Sequence, residues 1–185
     1  MNKNIAIIII ACFALFGVAV LSAETVNIDK SLQEANASFT YQHKPVHPGL
    51  VEEFNSWISD PGRPTTISVD IAAEHGNEYS EGDVSVKSGV VLLKKDDGYF
   101  YYKWLGKLSD GLHVVEVGDN GGGSGVFMDL LFVRFSISEG YDNGEKYKRL
   151  LMTIVGAYGL GDRKNRDIKV LTDRVMIDGT TIYTI

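Results

Sequence analysis

Cysteine is nearly absent: Cys12 is the only one in 185 residues, and it lies inside an N-terminal apolar run. A disulfide framework needs pairs, so none forms within the chain, and cysteine-ligated zinc is excluded by the same count. Histidine is sparse too, with only His43, His47, His75 and His113. His43 and His47 are spaced like a ligand pair, but Pro45 stands between them and breaks the helix such a pair requires. No metal and no cofactor is expected. The short catalytic signatures are also missing: the chain contains no Gly-x-Ser-x-Gly elbow, no Ser-x-x-Lys, no His-Glu-x-x-His and no Gly-Lys-Ser/Thr phosphate loop. Positive charge is in deficit, with 18 Lys+Arg against 24 Asp+Glu and a net charge of −6, and no basic stripe runs along any segment. Nucleic acid is therefore not an expected partner.

What is present is globular: 44% apolar and 23% charged residues, with 20 glycines, nine tyrosines and eight phenylalanines beside four prolines. That mixture favours aromatic strands joined by tight turns. At its N-terminus the chain reads Lys3, then apolar residues from Ile5 to Leu21, then Ser22-Ala23 before Glu24. This is the order of a secretory signal peptide cleaved after Ala23, leaving 185 − 23 = 162 residues with no cysteine. A retained membrane anchor is the alternative, and it is the only membrane contact expected. Export without disulfides points to a periplasmic or secreted protein of the cell envelope.

The remainder, residues 24–185, reads as one β-rich domain. Residues 24–46 are polar and read as an irregular arm, with room for a short helix over Ser31 to Ala37. Leu50, Val51, Phe54, Trp57 and Ile58 fall at helical spacing between Pro48 and Asp60-Pro61-Gly62, which predicts one N-terminal amphipathic helix. From Pro64 onward the apolar period becomes two, as in Ile67, Val69 and Ile71. Ser88-Gly89, Asp96-Asp97-Gly98, Asp142-Asn143-Gly144 and Asp178-Gly179 mark breaks or hairpin turns in this pattern. The expected fold is mainly β: an antiparallel meander of about eight or nine strands, curled into a barrel or split into a sandwich. Leu130 to Val133 and Leu150 to Val155 are apolar on both sides of the pleat and belong at its centre.

Three segments are candidate sites. Tyr99-Phe100-Tyr101-Tyr102-Lys103-Trp104 places Tyr99 and Tyr101 on one strand face and Phe100, Tyr102 and Trp104 on the other; one face fills the core, and the other can stack on a sugar ring or an apolar side chain. Residues 118–125 form a glycine-rich connection whose backbone amides, with Asp119, Asn120 and Ser124, could meet a ligand, although a strand rather than a helix follows it. Glu74-His75 could supply a carboxylate and a base. The paired Asp162-Arg163 and Asp173-Arg174 read as surface ion pairs.

Gly122-Gly123-Ser124-Gly125-Val126-Phe127, the apolar strand that follows and Leu160-Gly161-Asp162-Arg163 resemble a pattern in small exported bacterial proteins and lipoproteins of unknown function. The likeness covers about the C-terminal third, and Lys164-Asn165-Arg166 departs from it. It implies an exported β module with no established reaction. The expectation is thus a non-enzymatic domain that binds an envelope protein, a small molecule or a glycan. Two alternatives stand beside it: a sugar- or cell-wall-directed hydrolase using Glu74 and His75, and a module docking through an exposed strand edge such as Thr180 to Ile185.

Overall fold

The computed structural model describes residues 26–57, 66–72, 80–163 and 165–185. Residues 1–23 and the Glu74–His75 pair lie outside the described residues. Over these residues the protein is mainly β, with antiparallel sheets and two helices.

Asn27 starts the first helix, α1 (Ile28–Ser38), by accepting the Lys30 amide at 3.1 Å on its side-chain oxygen. A helix start leaves several amides without partners, and an Asn cap satisfies one of them. Ile28, Leu32 and Ala35 then line one stripe that packs on the core. Phe39 ends the helix in the left-handed region at φ 57°, and its amide returns to the Ala35 carbonyl at 3.0 Å. A two-residue hairpin follows, β1 (Thr40–Tyr41) against β2 (Lys44–Pro45). The short helix allowed for over Ser31 to Ala37 is thus present and longer, while the irregular arm over 24–46 is corrected: its described part is a helix and a hairpin. The described residues accordingly hold two helices beside the strands. The second helix, α2 (Pro48–Trp57), is the one its periodicity predicts, and it buries Leu50 and Val51.

The main sheet contains β3 (Ile67–Asp70), β4 (Asp83–Lys87), β5 (Val90–Lys95), β6 (Gly98–Lys107), β7 (His113–Asn120), β8 (Phe127–Asp142) and β9 (Glu145–Asp162). Its order is β3-β9-β8-β7-β6-β5-β4, antiparallel throughout. From β4 to β9 the chain is the expected meander. β3 departs from it by pairing with the far side of β9 at Leu151–Ile154. The C-terminal strands also depart: β10 (Ile168–Val170), β11 (Arg174–Ile177) and β12 (Thr180–Thr184) form a sheet of their own. Ten strands thus follow Pro64 among the described residues, where about eight or nine are expected. Among the described residues four hairpins turn on two residues that both take positive φ: Gln42-His43, Ser88-Gly89, Asn143-Gly144 and Asp178-Gly179. That geometry matches the natural twist of the flanking strands. It lets β8 and β9 run right up to their turn, where Asp142 pairs with Glu145.

Strand alternation sends side chains to two separate hydrophobic clusters. On one face Phe100, Tyr102, Val115, Val117, Leu131, Val133, Phe135 and Met152 pack with α1, α2 and Phe39. On the other, Val114, Leu130, Phe132 and Leu160 pack with Val175 and Ile177 of the small sheet. The two apolar strand centres, Leu130 to Val133 and Leu150 to Val155, accordingly contribute to buried clusters, though Val155 itself is exposed.

Candidate functional site

β6 separates the aromatic row between the two faces. Phe100 and Tyr102 are buried under the helices, and Trp104 packs partly buried against the same cluster. Trp104 therefore does not share a recognition surface with Tyr99 and Tyr101, because residues two apart share a face and its face is the helix-covered one. Its indole nitrogen is buried without a hydrogen-bond partner among the described residues.

Tyr99 and Tyr101 lie on the opposite face, half-buried and in neither cluster, with ring centroids 6.3 Å apart and planes inclined by 31°. Register sets Tyr101 between Leu92 and Gly118, and Tyr99 between Lys94 and Asn120. Gly118 is needed here for space: a Cβ on it would sit 2.2 Å from the Tyr101 ring. The ring thus lies across a strand position that carries no side chain. One step along the strands, Lys103 stands opposite Glu116. Burial, then the Glu116 charge, raises the Tyr101 phenol above its ordinary value and keeps it protonated. The face thus presents two flat rings bordered by Lys94, Lys103 and Glu116.

The glycine-rich loop is largely committed to its own structure. The Asn120 amide nitrogen donates to the carbonyls of Gly123 at 3.0 Å and Gly125 at 2.8 Å, while its oxygen accepts the Gly122 amide at 2.9 Å. The loop also lies backbone against backbone on the Asp96-Asp97 turn. A Cβ on Gly98 would meet the Asn120 carbonyl at 1.9 Å, and one on Gly122 would meet the Asp97 carbonyl at 2.2 Å. Gly98 and Gly122 thus permit close approach, whereas a Cβ on Gly121 or Gly123 would meet nothing within 4 Å. Ser124 is exposed. Asp119 points to the other face from Asn120, where its carboxylate lies 3.4 Å from the Lys95 ammonium, and Lys95 also bonds Glu52 of α2. Burial alone would lower the Lys95 pKa; the hydrogen bond and charge of Glu52, with Asp119 behind, outweigh it and hold the pKa above its usual value. Of the sequence candidates, Tyr99, Tyr101 and Asn120 come together, whereas Asp119 and Trp104 belong to the opposite side.

The Gly122–Phe127 and Leu160–Arg163 segments are cross-strand neighbours. Phe127 pairs with Asp162, whose carboxylate accepts the Val126 amide at 2.9 Å, and the Arg163 amide donates to the Val126 carbonyl at 2.9 Å. The Val126 bond, then the Arg163 side chain, lowers the Asp162 pKa. Asp162 and Asp173 each hold the arginine that follows them, and all four side chains are substantially exposed.

The histidines do different work. His47 Nδ1 accepts the Gly49 amide at 3.2 Å at the start of α2, and His43 is exposed beside Glu34. His113 is fully buried among Phe39, Trp104 and Phe135, with ring centroids 5.2–6.0 Å away, and neither of its nitrogens has a hydrogen-bond partner among the described residues. Burial, reinforced by the Lys107 charge, lowers its pKa to about 4. Among the described residues no group of three or more His, Cys, Asp or Glu is placed to hold a metal ion. No described helix is long and apolar enough to cross a membrane.

Sequence reasoning did not single out Gly118, Glu116 or the Glu52–Lys95–Asp119 group. The signal for Gly118 is only visible once the β6–β7 register is fixed, because it consists of a glycine opposite an aromatic. Compared with known proteins, the chain matches no family model, no curated protein and no solved structure.

Proposed function

We propose that this chain is a non-enzymatic binding module of the cell envelope, with the Tyr99–Tyr101 face as its contact surface. The observation that carries the reading is the position of the two rings: half-exposed, side by side, and outside both hydrophobic clusters. Two neighbouring aromatic faces offer a sugar ring or a partner's apolar side chain a stacking platform, and Lys94, Lys103 and Glu116 offer hydrogen bonds at its border. Placement in the periplasm or outside the cell rests on the order of residues over Met1–Ala23. The second cluster, built from both sheets, supports a partial sandwich over a barrel as the way the fold closes.

The test is a titration of the protein with soluble cell-wall glycan fragments and with envelope extract, read by perturbation of tyrosine NMR signals and by capture. Tyr99→Ala and Tyr101→Ala are expected to abolish both responses, with the far-UV circular dichroism unchanged. Retention of binding by folded alanine variants overturns the reading.

A further inference from the structure

We infer that two copies of this chain join edge to edge through β4, antiparallel and centred on Ser85. β4 ends the main sheet, pairing only with β5 among the described strands. All five of its residues are exposed, including Val84 at 41% and Val86 at 58%. An exposed strand edge is a row of unpaired amides and carbonyls, which folded proteins normally blunt or cover. β4 is not bulged, its register with β5 running unbroken from Asp83 to Lys87, and no described strand or helix covers its outer edge. The other outer strands are less suitable. β3 is partly buried, and β12 meets β11 across a register shift at Val175/Met176.

The hydrogen-bond parity fits a partner. The two-residue turn at Ser88-Gly89 makes Lys87 and Val90 a bonded pair, and alternation then turns Ser85 and Asp83 toward β5 as well. The free backbone groups are therefore those of Val84 and Val86. Pairing β4 with its own copy about Ser85 sets Val84 opposite the partner's Val86 and the partner's Val84 opposite Val86, so each outward group meets an outward group. The same register sets Asp83 opposite the partner's Lys87, and Lys87 opposite the partner's Asp83. Asp-Val-Ser-Val-Lys is thus self-complementary in charge, apolar contact and hydrogen bonding when read antiparallel against itself, which is what an isologous two-fold interface demands. Directly opposed residues share a face, so the Tyr99–Tyr101 rows of both copies would lie on one side of a continuous sheet. The pairing itself does not depend on what those rows bind.

Analytical ultracentrifugation over a concentration series tests the pairing by charge swap, with circular dichroism reporting the fold of each variant. The wild type is expected to show a reversible monomer–dimer equilibrium. Asp83→Lys and Lys87→Asp each oppose like charges at both ends of the interface, and each weakens dimerisation by about tenfold or more. The double variant D83K/K87D restores the complementarity and the dimer. An equimolar mixture of the two single variants forms a heterodimer that neither makes alone. Val86→Pro removes an outward donor but no bond to β5, and it also leaves monomer. A wild type that stays monomeric, single charge variants that dimerise as well as wild type, or a mixture that fails to associate would each overturn the inference.

Discussion

The two faces of the seven-stranded sheet are made by the same strands, yet they are finished differently. The helix side buries Phe39, Tyr102, His113, Phe135 and Met152 beneath α1 and α2, to at most 7% exposure. The opposite side is covered by a three-stranded sheet along β8 and β9 and at the Val114 and Leu105–Gly106 ends of β7 and β6, and toward β4 it leaves Tyr99, Tyr101 and Leu92 half-exposed. Aromatic residues are therefore put to two uses one residue apart on β6. Those facing α1 and α2 hold the fold together, and those facing away hold little of it. Stability should consequently be sensitive to change on the first face and tolerant of it on the second.

The largest effect is expected at Phe39. Its ring makes edge contacts with Tyr102 at 5.5 Å and Phe135 at 5.3 Å and a tilted one with His113 at 5.7 Å, from a left-handed backbone that bulky residues rarely adopt. Phe39→Ala should cost about 3–5 kcal/mol in urea unfolding, because the helices on either side cannot close the space. A loss under about 1 kcal/mol would mean that the helix-covered face is not the stabilising one.

His113 makes the same face sensitive to acid. Its folded pKa of about 4 is below the ordinary 6.5, so the proton binds the unfolded chain more tightly. The stability associated with the neutral imidazole is complete above pH 6.5 and is lost as pH falls from there toward about 4, a difference of about 3 kcal/mol at 1.36 kcal/mol per pH unit. Asp162, Asp173 and Asp178, whose pKa values are lowered from 3.8, lose their contributions only as the pH falls through that region and below, so the upper part of the His113 window is free of them. His113→Leu should flatten the unfolding free energy between about pH 6.5 and pH 4.5. An unchanged slope in that variant would assign the acid sensitivity elsewhere.

Gly98 tests the boundary between the faces, where the glycine loop rests on the Asp96-Asp97 turn. Gly98→Ala brings a methyl group within 1.9 Å of the Asn120 carbonyl, so the loop must lift. A loss of about 1–3 kcal/mol is expected, as for other overpacked sites. Amide exchange should quicken at Gly122, whose N–H is held by Asn120. A neutral result would show that the loop is not held against the turn.

These contrasts were only partly legible in the sequence. The period-two pattern marked the β body, and Asp142-Asn143-Gly144 and Asp178-Gly179 marked their turns, since left-handed positions leave a compositional trace. Alternation also split Tyr99 and Tyr101 from Phe100, Tyr102 and Trp104 without saying which face the helices cover. That choice depends on α1, whose apolar stripe of Ile28, Leu32 and Ala35 is narrow in an otherwise polar stretch; Asn27 as its cap was the available sign. The separate C-terminal sheet and the docking of β3 beside β9 arise from contacts distant in sequence, which local periodicity does not encode. The glycine run shows the same limit. Its composition suits an open connection as well as a packing contact, and only the approach of Gly122 to the Asp97 carbonyl, beside that of Gly98 to the Asn120 carbonyl, shows that part of it is packed.

The smallest effect on stability should come from Tyr99, and this is where the comparison becomes a statement about binding. Its neighbours across the sheet are Lys94, which is exposed, and Asn120, whose amide is already committed to the loop. Tyr99→Ala removes one side of the ring contact with Tyr101 and little else, so urea unfolding should register a loss of about 0.2–1 kcal/mol, the range of a cross-strand pair. The same substitution should abolish ligand-induced shifts of the Tyr101 signals. A loss near that of Phe39→Ala would make Tyr99 a core residue and remove the reason to expect a ligand on this face. A folded Tyr99→Ala that still binds would place the contact elsewhere on the molecule. Low cost to the fold combined with loss of binding is the outcome that distinguishes a surface kept open for a partner from one that is merely unfinished.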